Sequence, residues 1–126
     1  MSKRRHRLYE LESGCGVEAC LELIGGKWKG VILHHLLTEH VLRFSELQKL
    51  KPSLSPRILT AQLRELESDG LVIRKVYAVV PPKVEYSLSS LGQSLMPLIE
   101  AMQRWGDEYL LHINAHTHPK KSRKTD

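Results

Sequence analysis

Apolar residues recur every three or four positions through residues 15–50, the spacing of one face of a helix. "CGVEACLELI" predicts a first helix with Cys15 at its N-cap and Glu18 three residues on, facing the free amides. The paired glycines of "GGK", residues 25–27, supply a left-handed end to it. A second helix follows in "WKGVILHHLL", where Trp28, Val31, Ile32, Leu36 and Leu37 share the helical spacing. "EHVLRF" reads as a short extended link ending at Arg43. Ser45 is then placed to cap a third helix, "SELQKL", with Leu47 and Leu50 on its apolar side. In "KPSL", Pro52 drives Lys51 out of helical geometry and predicts a turn.

The next stretch, "SLSPRILTAQLRELESDGLVIRKV" (53–76), changes period partway along. Ser55 is the N-cap and Pro56 the first helical residue, where a missing amide costs nothing. At about 100° per residue, Leu59, Leu63 and Leu66 fall on one side. Arg57, Thr60, Ala61 and Arg64 fall on the other. Gly70 ends the helix, and "LVIRKVYAVV" predicts a strand, "PPK" a turn and "VEYSL" a returning strand. Val84, Tyr86 and Leu88 alternate with Glu85 and Ser87, so one face should pack while the other is wet. A last long helix opens with an apparent capping box from Ser90 to Gln93. Its apolar stripe runs Leu91, Leu95, Leu98, Met102, Trp105 and Tyr109, with Pro97 expected to kink it.

Length makes this one domain, at 126 residues, with a basic N-terminal arm (1–14), a folded body (15–111) and a basic, flexible tail (112–126). No apolar run is long enough to span a bilayer, and no hydrophobic segment follows the basic start, so a cytoplasmic protein of a bacterial or archaeal cell is expected, with no membrane partner. Cys15 and Cys20 are too few and too close for a disulfide framework. The net charge of +5 is unevenly spread: residues 1–7 carry +4, residues 119–126 carry +3, and residues 43–83 carry +4, while 8–42 and 84–118 each carry −3. Basic tails can simply aid solubility, but a positive centre points to a docked polyanion.

Four helices, a two-stranded hairpin and a further helix, in that order, describe a winged helix-turn-helix: mainly α with a small β-hairpin. A fourth helix packed by its leucines frees Arg57, Thr60, Ala61 and Arg64 for a DNA major groove, with Ser55 and the helix N-terminus leading. Arg43 and Ser45 beside it, and Arg74, Lys75 and Lys83 on the hairpin, are the candidate flanking contacts. Met102, Trp105, Tyr109 and Leu110 lie on a stripe longer than one small domain buries locally. Burial against a second copy is therefore a candidate role, with "CLELI", including Leu21, opposite.

Three segments carry a more specific likeness. "CGVEACLELIGGKWKGVILHHLL", "RFSELQKLKPSLSPRILTAQLRELESDGLV" and "PPKVEYSLSSLGQSL" resemble the HxlR-type transcriptional regulators, relatives of the MarR group, over about residues 15–106. The resemblance implies a homodimeric winged helix that dimerises through its terminal helices, reads DNA with residues 55–69 and represses or activates nearby genes. Cys15 matches a cysteine that senses electrophiles or oxidants in some members, so an electrophile or small molecule is a candidate effector. Cys20 matches no such position, and Gly16 stands where many members have Pro.

Other chemistries find less support. An N-cap thiol is favoured as thiolate, but no His is set beside Cys15 by spacing, so no enzyme is expected. His112, His116 and His118 in "HINAHTH" have metal-compatible spacing, which an exposed tail explains more simply, and no metal or cofactor is expected. His34 and His35, being adjacent, should point apart, and Cys20 should be a small buried residue. Two readings remain: a sequence-specific DNA-binding regulator, or a winged-helix protein-interaction module that does not bind specific DNA.

Overall fold

The computed structural model describes residues 15–117, so both basic arms lie at least partly outside the described residues. The chain forms two compact units, one ending at Ser94 and one beginning at Leu95.

In the first unit, α1 spans Gly16–Ile24 with Cys15 at its N-cap, as the spacing predicts, although the Cys15 side chain makes no capping hydrogen bond. Gly25 ends the helix in extended geometry, and the left-handed residue is Gly26, at φ +93°. Gly25 is required for space instead: a Cβ there would lie 2.2 Å from the Leu21 carbonyl oxygen. Helix α2, Lys29–Glu39, buries Ile32, Leu33 and Leu36 together with one charged residue, Lys29.

The expected link at Val41–Arg43 is a strand, β1. It pairs antiparallel with β3 (Lys83–Leu88), which also pairs with β2 (Val72–Tyr77), so the expected hairpin forms and β1 extends it to a three-stranded sheet of order β1-β3-β2. Three residues are too few to show a period, and their partners lie more than forty positions on, from Glu85 to Ser87. β2 is shorter than the apolar run 71–80 suggests, because the residues after Tyr77 leave the ladder. Along β3 only Leu88 is buried; Val84, Glu85, Tyr86 and Ser87 are all half-buried, so the expected dry-wet alternation is absent.

Helix α3 spans Phe44–Leu50 and starts earlier than Ser45 as a cap would allow. Arg43 is the N-cap, its backbone N–H donates to the Glu46 carboxylate at 2.7 Å, and Ser45 is the second helical residue. Helix α4, Pro56–Ser68, begins as expected, with Ser55 Oγ accepting from the Ile58 amide at 3.2 Å. Gly70, at φ +79°, turns the chain into β2; that left-handed geometry suits glycine, which has no Cβ to clash.

The capping box expected from Ser90 to Gln93 does not form, and a simple serine cap sits one residue earlier. Ser89 is the N-cap of α5, a single turn over Ser90–Gln93, and Ser89 Oγ accepts from the Gly92 amide at 3.0 Å. Ser89 also fastens the hairpin to the end of α4: its N–H donates to the Leu71 carbonyl at 3.1 Å and its hydroxyl to the Gly70 carbonyl at 2.6 Å. Gly92 completes this clasp, since a Cβ there would lie 2.2 Å from the Leu71 oxygen. Leu33, Leu36, Leu54, Leu59, Leu63, Leu66 and Leu71 are almost wholly buried and form the centre of the unit.

The second unit is one helix, α6, Met96–Thr117. Pro97 falls in its first turn, where no amide partner is needed, and therefore does not kink a continuous helix. The tail expected from residue 112 begins within this helix.

Candidate nucleic-acid interface

The turn between α3 and α4 is fixed from inside. Leu54 is buried, its amide donates to the Lys51 carbonyl at 3.0 Å, and the Gln48 side-chain amide donates to the Leu54 carbonyl. This anchors the first turn of α4 before any of its own packing. Leu59, Leu63 and Leu66 then bury the inner side of α4. Arg57, Ala61 and Arg64 are exposed on the outer side and Thr60 is half-buried, as the helical spacing predicts. Ser55 stands exposed at the leading end.

Ile58 was not singled out by the sequence pattern, yet it is 43% exposed in the first turn of α4. The available signal was an isoleucine lying off the leucine stripe. A side chain of this type offers apolar contact to a thymine methyl, which polar neighbours cannot. Behind α4, Lys29 Nζ lies 2.6 Å from Glu65 Oε1 and ties α2 to the middle of the helix.

The sheet sorts its basic residues by strand parity. The register pairs Arg43 with Glu85, Lys75 with Glu85 and Tyr77 with Lys83, so Arg43, Lys75, Tyr77, Lys83 and Glu85 share one face. Tyr77 stands between two ammonium groups, with Lys83 Nζ at 4.6 Å and Lys75 Nζ at 4.9 Å from its ring centre. Its hydroxyl donates to Glu85 Oε1 at 2.8 Å, and Lys83 Nζ lies 3.4 Å from Glu85 Oε2. The Tyr77 hydrogen bond first, and then Lys83, hold the Glu85 carboxyl below its ordinary range. This face is thus cationic around one retained carboxylate.

Arg74 does not join that group. It belongs to the opposite face with Tyr86 and Leu42, and its Nε lies 3.5 Å from Glu67 Oε1 on α4. Ser45 is exposed on α3, two positions after Arg43. Partial burial pushes the Tyr86 phenol up, so it stays a neutral donor.

The remaining candidates sit elsewhere. Cys15 and Cys20 are both free and half-buried, so Cys20 is less enclosed than expected. Leu21 on α1 is exposed, as are Met102, Trp105, Tyr109 and Leu110 on α6. Trp105 and Tyr109 stack on each other with ring centres 5.3 Å apart. His34 and His35 do not point apart: their ring centres are 5.1 Å from each other. His112 and His116 lie on α6, while His118 is outside the described residues.

A tri-helical core with a turn between α3 and α4, followed by an antiparallel strand pair, defines a winged helix-turn-helix protein. The HxlR-like helix-turn-helix family model matches residues 23–114, and the chain belongs to that family. That match starts inside α1 and ends in α6, so it is displaced toward the C-terminus from the stretch that the motifs marked, and Cys15 and Cys20 precede it. The chain is similar to the HTH-type transcriptional regulator YdeP of Bacillus subtilis, 54% identical over 96 residues, 76% of this chain and 74% of the relative. It is also similar to the solved redox regulator HypR. The oxidized form is 50% identical with a TM-score of 0.71, covering 75% of this chain and 96% of that one. The reduced form is 45% identical with a TM-score of 0.75, covering 81% and 100%.

Proposed function

We propose that the protein is a sequence-specific transcriptional regulator that binds double-stranded DNA as a homodimer in the cytoplasm, with α4 in the major groove. The observation that carries this reading is the division of α4: three leucines buried, and Arg57, Ala61 and Arg64 free on the outer face beside exposed Ile58. Arginine offers a two-pronged donor to guanine, and the apolar side chains suit thymine. The Arg43–Lys75–Lys83 face of the sheet serves the phosphate backbone, which fixes register without reading sequence. Arg74, engaged with Glu67, contributes to holding the hairpin on α4 more than to DNA.

Dimerisation rests on the exposed apolar residues of the terminal helices, with Leu21 on α1 and Met102, Trp105, Tyr109 and Leu110 on α6. Thiol sensing of an electrophile or oxidant rests on Cys15 at the start of α1 and on the likeness to a redox regulator. Under that reading Cys15 alkylates faster than Cys20 and its modification changes DNA affinity; equal slow reaction of both thiols without such a change rejects it.

The deciding experiment selects bound fragments from a genomic library, then titrates the selected duplex at 50 and about 200 mM salt. A regulator binds the selected duplex tightly, and its affinity falls steeply with salt. A protein-interaction module of the same fold binds neither selected nor random duplex appreciably.

A further inference from the structure

We infer that His112 and His116 form a two-imidazole binding site for a borderline divalent metal ion, Ni²⁺, Cu²⁺ or Zn²⁺, near the C-terminal end of α6. The reading does not depend on DNA binding. Residues four apart on a helix lie one above the other on the same face, and two histidines at that spacing are a recurrent chelating pair. Here the two rings already approach, with centres 4.3 Å apart and planes tilted by 34°. Both side chains are exposed, so an ion reaches them without any rearrangement of a core.

The hydrogen bonding supports the same conclusion. His116 Nδ1 lies 2.9 Å from the His112 carbonyl oxygen. A carbonyl only accepts, so in the neutral ring the His116 proton sits on Nδ1 and the Nε2 lone pair is left for a ligand. This is the arrangement that orients metal-binding histidines generally, with one ring nitrogen fixed by a carbonyl and the other on the metal. Neutral imidazole selects nickel, copper and zinc over magnesium or calcium, which prefer oxygen ligands. Among the described residues no group of three or more ligand side chains comes together. The ion is therefore held by two protein nitrogens, with solvent completing its coordination, and binds more weakly than at a four-ligand structural site.

Bridging positions four apart also staples a helical turn. Loading the site stabilises the end of α6, because the ion binds the helical form and not the frayed one.

The test is calorimetric titration of the full chain with NiCl₂ in a non-coordinating buffer, together with far-ultraviolet circular dichroism with and without the ion. One site per chain is expected, with at least about 10-fold weaker binding in either His112→Ala or His116→Ala, and a nickel-dependent rise in helix signal in the wild type only. Circular dichroism of the metal-free variants checks that they keep their fold. Nickel binding in His112→Ala or His116→Ala within about twofold of wild type overturns the assignment, whichever other group holds the ion. So does a wild-type chain that binds no nickel at micromolar concentrations.

Discussion

Lys29 Nζ and Glu65 Oε1 meet at 2.6 Å, joining the first turn of α2 to the middle of α4. The two partners are unequally exposed: the lysine side chain is 8% accessible and the glutamate 39%. Removing the lysine leaves a carboxylate that water can reach, whereas removing the glutamate leaves an enclosed cation. Glu65→Leu should therefore destabilise the protein more than Lys29→Met does. Breaking a fully buried pair costs roughly 3–5 kcal/mol; partial exposure of Glu65 lowers the expected loss to about 2–3 kcal/mol. Urea denaturation of both variants measures the order, and equal losses would contradict it.

For the outer face of α4, Arg57→Ala and Arg64→Ala should each weaken binding to the selected operator by about 1–3 kcal/mol if the side chain reads a base edge. A phosphate contact would instead weaken all sequences alike and flatten the salt slope. Ile58→Ala should relax preference at a single A·T position while leaving the salt slope unchanged. Competition binding with single-base operator variants separates these outcomes, and full wild-type affinity in both arginine variants rejects α4 as the reading helix.

Glu85 is the acid among Arg43, Lys75 and Lys83 on the basic face of the sheet. Glu85→Gln keeps an acceptor for Tyr77 but frees Lys83 from its 3.4 Å partner. Affinity for any duplex should rise at low salt, and the log-log salt slope should steepen by up to about 0.9, the increment for one added phosphate contact. An unchanged slope would remove this face from the DNA contact.

His35 gives stability a pH dependence of known sign. Burial first, then His34 and Lys51, lower its proton affinity below the ordinary 6.5, with Glu39 opposing. As pH falls through 6.5 the unfolded chain takes up this proton before the folded one. The neutral-form advantage is thus complete above that value and is lost as pH drops toward the folded-state value. Thermal unfolding at pH 7.5 and 5.5 should show a smaller acid loss in His35→Gln than in wild type, and identical losses would discount the group.

Trp105 is 67% exposed on α6 and stacked on Tyr109, and in the proposed homodimer this aromatic pair is the anchor of the seam. Aromatic anchors dominate the energetics of such seams. Trp105→Ala should shift a micromolar sample toward monomer in sedimentation velocity and weaken operator binding although no DNA-facing residue has changed. A wild-type monomer rejects the dimer itself, and a variant that stays fully dimeric assigns the interface elsewhere.

Much of this architecture is legible in the chain because its signals are local. Ser55, Pro56 and the leucines of α4 fix that helix within fourteen residues, and Gly70 marks its end. What escaped local reading depends on distant partners. β1 exists only through its pairing with Glu85 to Ser87, and Lys29 is buried only because Glu65 meets it. The separation of Arg74 from Lys75 required the sheet register, since adjacent strand residues face opposite ways. Ser45 and Ser90 were each assigned a capping role that belongs one or two positions earlier, where a backbone N–H or a neighbouring serine does the work.

The Ser89 clasp has a consequence for how relatives of this protein can diverge. Because Ser89 and Gly92 bolt the base of the β2–β3 hairpin onto Gly70 and Leu71, the hairpin cannot pivot independently of α4. Under the proposed reading, the offset between the bases facing α4 and the backbone facing the hairpin is then a constant of the fold, like the fixed gap between the jaws of a gauge. On that reading, exchanging side chains on α4 would change the operator without moving the hairpin. A change of footprint would then fall to the hairpin tip at residues 78–82, beyond the bolted end, where the chain has already left the ladder.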